Sequence, residues 1–168
     1  MSLWIKIRNF LTIQPSLNED QLFLKKVSFM KALTNQQIIL FARFIQVRHF
    51  KKGEFIFKED YPHVVLYFIK HGEIELLPHR NSSEPLMVLS KYQYVGIEEL
   101  FLDSRRWSSA VAKTDCTLLG ISKFNFKSYV KRNPRAGVKI LYGLCSSFSR
   151  YIKHCLTDKV QENNDENS

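Results

Sequence analysis

The sequence is poor in the residues that mark the common alternatives to an ordinary globular domain. Its 168 residues include 3 Cys, 6 Gly and 5 Pro. Cys116, Cys145 and Cys155 are too few and too scattered for a disulfide framework, and none belongs to the C-x-x-C pair of a zinc site. So little Gly and Pro excludes a fibrous or low-complexity chain. No apolar run approaches the roughly 20 residues that span a bilayer. The start lacks the charged, apolar and small-residue regions of a secretory leader, so a cytoplasmic setting is expected. Catalytic signatures are missing too. His49, His63, His71, His79 and His154 show no metal spacing, and there is no P-loop, nucleophile elbow or dinucleotide fingerprint. No enzyme, metal or cofactor is expected. Acidic residues are also scarce: 16 Asp+Glu stand against 25 Lys+Arg, for a net charge of +9. That excess suggests an anionic partner or a basic solvated face.

What is present is apolar, at 45% hydrophobic and 13% aromatic residues. One ordinary domain with a real core accounts for such a length. Leu3, Trp4, Ile7, Phe10 and Leu11 form one helical stripe, and Pro15 disfavours helix just before it. A second segment runs from Ser16 and Asn18 through Leu22 and Leu24 to Val27. From Phe29 to Ile45 the pattern is helical again. There Thr34 and Gln37 are placed for a capping box.

From Val47 the period shortens to two. Strand-like runs occur at Val47–Phe50, Glu54–Phe57, Val64–Ile69, Glu73–Leu77, Leu86–Leu89, Ser109–Ala112 and Thr117–Ile121. Turn residues separate them, and most have no helix between them, which predicts an antiparallel sandwich or barrel. Tyr94–Asp103 breaks the rhythm as a Gly turn followed by about one helical turn. Arg105 and Arg106 come directly after it. Gly, short helix and Arg at this spacing can make a phosphate cradle.

Helical periodicity returns after Ser122. A short helix spans Lys123–Lys131 and stops at Asn133-Pro134. A long one is expected from about Arg135 to Asp158. Its stripe of Val138, Leu141, Leu144, Cys145, Phe148, Tyr151, Ile152 and Cys155 suits packing on the barrel or pairing with a second copy. The acidic end from Asp158 carries a net −3, leaving +12 on the rest. Much of this positive charge lies on Lys123, Lys127, Lys131, Arg132, Arg135, Lys139, Arg150 and Lys153.

With Lys51–Glu59, Leu66–Leu76, the Val95-Gly96 turn, Arg106 and Ala110–Ile121, this order of elements resembles the cyclic-nucleotide-binding domain of the catabolite-activator and protein-kinase-A regulatory families. The resemblance covers about Phe29 to His154. It implies a double-stranded β-helix (jelly roll) of about eight strands, mainly β within an α+β chain. N-terminal helices and a long C-terminal helix flank the roll. It also implies a cassette of the form F-G-E-(L/I)-A-L, a short gap, then R-(S/T)-A. Gly96 and Arg106 match the cassette. Ile97 stands at its ribose-binding Glu, with Glu98 and Glu99 as substitutes under a slipped turn. Trp107 stands at the hydroxyl position and Ser108 at the small residue. Asp60, His63 and Tyr92 replace glycines of neighbouring turns, and a one-residue shift would put Arg105 in the role of Arg106.

The resemblance therefore implies a cytoplasmic regulatory or sensor domain. It would bind cAMP, cGMP or a related anion through residues 95–109, with Gly96, Ile97, Glu98, Glu99, Arg106, Trp107, Ser108 and Ser109 as the candidate site. The alternative is a degenerate fold that no longer binds nucleotide and acts as a dimerisation or protein-docking module. A homodimer through the long helix is expected in either case. Residues 1–28 read as an amphipathic extension, 29–157 as the domain and 158–168 as a disordered acidic tail. Too few residues follow Leu156 for a helix-turn-helix, so direct sequence-specific DNA binding is not expected. For residues 1–14, packing on the barrel or a partner is favoured over contact with an anionic membrane.

Overall fold

The computed structural model describes residues 15–61, 64–78, 84–102 and 104–165, with backbone alone at 154, 155 and 158–165. The helical stripe expected over residues 1–14, with its membrane alternative, lies outside the described residues, as does His63. Among the described residues, no helix is long and apolar enough to cross a membrane.

The chain begins with helix α1 (Glu19–Lys26), a 3-10 turn (Ser28–Met30) and helix α2 (Asn35–Ala42). Both helices start where their sequence dictates. The Asn18 and Thr34 side chains accept from the backbone N–H of Gln21 and Gln37, whose side chains accept in return from the cap N–H groups. These reciprocal bonds satisfy donors that a helix start would otherwise leave open.

Eight strands follow: β1 (Gln46–Phe50), β2 (Phe55–Phe57), β3 (Val65–His71), β4 (Ile74–Leu77), β5 (Met87–Leu89), β6 (Tyr94–Val95), β7 (Ser109–Ala112) and β8 (Cys116–Ser122). They pair antiparallel in two four-stranded sheets, ordered β1-β8-β3-β6 and β2-β7-β4-β5. Periodicity marks seven of them and the resemblance implies about eight; the one without a run of its own is the two-residue β6. Helix α3 (Glu98–Phe101) interrupts the roll between β6 and β7, as the Gly-turn pattern predicts. Helices α4 (Lys123–Arg132) and α5 (Pro134–Asp165) close the chain. The backbone of α5 stays helical to Asp165, into the segment expected to be disordered from 158.

Alternation along the strands divides the core into two layers. Leu66 and Phe68 of β3 face the helices, together with Leu119 and Ile121 of β8, and pack on Phe29, Phe41, Phe126, Tyr129 and Ile140. Ile69 and Leu118 face between the sheets, against Ile56, Phe57, Leu76, Val95 and Ala110. Phe23, Leu24 and Val27 belong to the helix-side layer with Phe29 and Met30. The division expected at 28–29 therefore passes through packed core. Helix α5 lies on the 3-10 turn at Gly143, where a Cβ would come within 2.8 Å of the Phe29 backbone.

Two backbone positions fit the reading of replaced glycines. Asp60 and Tyr92 have φ of 63° and 71°, the left-handed region that glycine tolerates best. The Tyr92 ring stacks on Phe23 at 5.1 Å between centroids, packing that a glycine could not provide.

Candidate functional site

The segment from β6 through α3 to β7 carries the candidate residues. Gly96 has φ 83° and turns the chain from β6 into α3. A Cβ there would lie 2.2 Å from Arg106 Nη1, so the guanidinium rests directly on the backbone of the turn. Only glycine satisfies both the dihedral and this approach.

Arg106 is the largest fully buried side chain among the described residues, with the residue 1% exposed. Its Nη1 donates to Glu99 Oε2 at 2.7 Å and its Nη2 to the Val65 carbonyl at 2.6 Å. The guanidinium lies 3.9 Å from the centre of the Phe57 ring, a cation–π contact that fixes its plane. Its Nε is buried with no hydrogen-bond partner. Burial lowers the Arg106 pKa from its usual value, while the charge of Glu99, then Glu98, and the Glu99 hydrogen bond oppose that shift. Arg105 is exposed, so Arg106 is the inward arginine without any shift in register.

The other candidates separate into distinct environments. Ile97 sits at the α3 N-cap with no side-chain cap bond, and its side chain joins the helix-side core. It lacks the acceptor that a ribose hydroxyl would need. Glu98 is exposed, whereas Glu99, one residue on, is 2% exposed and turned inward. Lys123 Nζ donates to the carbonyls of Glu99 and Leu102 at 2.8 and 3.0 Å, which ties α3 to the start of α4. Trp107 is 50% exposed, so it does not plug the roll. Ser108 and Ser109 are buried, and Ser109 Oγ accepts the Glu59 N–H at 2.9 Å.

The structure thus brings Gly96, Glu99 and Arg106 together and leaves Ile97, Glu98 and Trp107 outside that contact. Phe57 and Val65, which complete the surroundings of Arg106, were not foreseen as site residues. Phe57 carries only the signal of an apolar strand residue, and Val65 contributes through its backbone. A nearby cavity of about 80 Å³ has Gln46, Arg48, Val65, Tyr67 and Gly120 among its walls. Burial raises the Tyr67 pKa, with Arg48 and Arg106 opposing. Among the described residues, no group of His, Cys, Asp or Glu could hold a metal ion.

Comparison with known proteins agrees with this architecture. The mouse potassium/sodium hyperpolarization-activated cyclic nucleotide-gated channel 2 (Mus musculus) is 33% identical over 85 residues, 51% of this chain and 10% of the channel. The chain spans about a tenth of the length of the curated relatives it matches. Among solved structures, the N-terminal domain of a transcriptional regulator from Streptomyces coelicolor A3(2) superposes with a TM-score of 0.67. It is 20% identical, covering 79% of this chain and 94% of that one. The catabolite activator protein of Thermus thermophilus gives a TM-score of 0.66 at 21% identity, covering 78% and 61%. Both show the fold. The sequence model of the cyclic nucleotide-binding domain matches residues 47–133, more than half the chain, which therefore belongs to the cyclic nucleotide-binding domain family.

Proposed function

We propose that this domain is a non-catalytic, cytoplasmic regulatory module that pairs with a second copy through α5, and that its cassette takes up no cyclic nucleotide in the native sequence. The exposed seam on α5 carries this reading. Val138, Leu141, Cys145, Phe148 and Ile152 recur at the 3-4-3-4 spacing of a coiled coil, and all five are exposed in the single chain. Leu144, expected in the same stripe, instead packs inward with Ala136 and Ile140. The helix therefore has one face bound to its own domain and one free for a partner. The cassette supports the second half of the reading, because its arginine is already paired with Glu99 and Ile97 offers no ribose acceptor. Sedimentation velocity with a parallel calorimetric titration of cAMP and cGMP tests both halves. A dimer with no ligand heat is expected, and a monomer at tens of micromolar would overturn the pairing.

A second reading keeps cyclic nucleotide binding in residues 95–109. The specific observation favouring it is Gly96, whose φ and contact with Arg106 preserve the turn of a working cassette. Ligand heat that disappears in Arg106→Ala would decide for it.

A further inference from the structure

We propose that Glu99 is an internal stand-in for a ligand phosphate, and that removing its carboxylate turns the Arg106 pocket into a binding site for a phosphate monoester or diester. This rests on the reading that the native cassette takes up no nucleotide.

The geometry around Arg106 supplies the argument. A guanidinium is held rigidly at a buried position, with its plane fixed by Phe57 and one end fastened to the Val65 carbonyl. Such pre-organisation suits recognition of an oxyanion, whose oxygens match the fork of N–H groups. The anion present is the chain's own. Glu99 Oε2 engages Nη1, and both side chains are withdrawn from water. The match is incomplete, because Nε remains buried without a partner. A carboxylate fixed to α3 reaches one corner of the guanidinium. A free oxyanion with two or more oxygens can engage Nε together with a neighbouring Nη. No side chain stands between Arg106 and the Gly96 turn, so space vacated by the Glu99 carboxylate would adjoin both the guanidinium and the backbone. The placement of Glu99 follows from its neighbours. Ile97 is anchored in the helix-side core and Lys123 clamps the α3 carbonyls, so the single helical turn delivers Glu99 inward and Glu98 outward.

The test is thermal unfolding of the native chain, Glu99→Ala and Glu99→Gln, each titrated with inorganic phosphate, cAMP and acetate against chloride at matched ionic strength. The native midpoint should not respond to phosphate or cAMP beyond chloride. Glu99→Ala should melt lower and recover with both, binding at least about tenfold more tightly than the native chain. Glu99→Gln, which keeps the side-chain shape, should fold and respond in the same direction, more weakly. Recovery should vanish when Arg106→Ala is added to Glu99→Gln. Two variants that ignore phosphate and cAMP beside a silent native chain overturn this proposal alone. Recovery with acetate but not phosphate also overturns it, as simple refilling by the missing carboxylate. A native chain that binds as tightly as Glu99→Ala overturns it together with the nucleotide-free reading.

Discussion

Arg106 Nη1 and Glu99 Oε2 stand 2.7 Å apart, with the two side chains 0% and 2% exposed. Lys51 and Asp115 make a contact of similar length, 2.8 Å, but at 79% and 62% exposure. The two pairs have different consequences. The surface pair is screened by water and contributes little. In the buried pair each charge depends on the other, because removing one partner leaves an ion without solvent or counter-ion.

Arg106→Ala should therefore lose about 3–5 kcal/mol of stability in urea denaturation. A double Glu99→Leu, Arg106→Leu variant should lose clearly less than the single change, since it removes both charges. A single variant within about 1 kcal/mol of the native chain would mean that water reaches Glu99, contrary to its burial.

Gly96→Ala should also be destabilising, for two reasons that act together. An alanine at φ 83° is strained, at about 1–2 kcal/mol. Its Cβ would also drive the guanidinium off the turn and loosen its bond to Glu99. A drop in Tm of several degrees is expected from calorimetric scans. An unchanged Tm would show that Arg106 swings away freely and is not locked.

Tyr129 gives a pH signature. Its ring is fully buried among Phe41 and Phe44, its hydroxyl donates to the Gln37 carbonyl at 2.8 Å, and burial pushes its pKa up to about 12. An unfolded tyrosine ionises near 10, so the folded state favours the neutral phenol. This contribution is complete below pH 10 and is lost as pH rises toward about 12. Stability should fall by about 2 kcal/mol across that window. Tyr129→Phe should flatten this part of a urea-midpoint profile, at the cost of the hydroxyl's bond to the Gln37 carbonyl. An equally steep decline in Tyr129→Phe would assign the effect to other groups.

Much of the fold is legible in the sequence because periodicity reports burial. The period-two runs, the Thr34–Gln37 capping box and the Gly96 turn each follow from local chemistry that tertiary contacts do not override. β6 is not legible, because two residues cannot display a period. The cassette is half legible. Gly96 and Arg106 stand out by type, but the pair Glu98-Glu99 reads only as two interchangeable substitutes for the ribose-binding carboxylate under a slipped turn. The packing of Ile97 and the Lys123 clamp on the α3 carbonyls decide which of them turns inward. The α5 stripe is similarly ambiguous in sequence, since a heptad-like run cannot say which apolar residues meet the chain's own core. Leu144 does, and its neighbour Cys145 does not.

That partition of α5 yields the prediction most directly tied to function. If the seam joins two copies, a charge placed in it must be buried unpaired in the dimer, yet it meets only water in the monomer. Leu141→Glu and Ile152→Glu change residues that are 41% and 56% exposed in the single chain, so the fold itself should tolerate them. Each should convert dimer to monomer in sedimentation velocity while leaving the far-UV circular dichroism and the Tyr129 alkaline profile intact. Ser146→Glu provides the control, because Ser146 is exposed on α5 but lies outside the 138-141-145-148-152 seam. Dissociation by both seam variants and not by Ser146→Glu locates the interface on that face. Equal dissociation by all three would make the effect one of general charge on a helix. Dimers persisting in both seam variants would move the interface off α5.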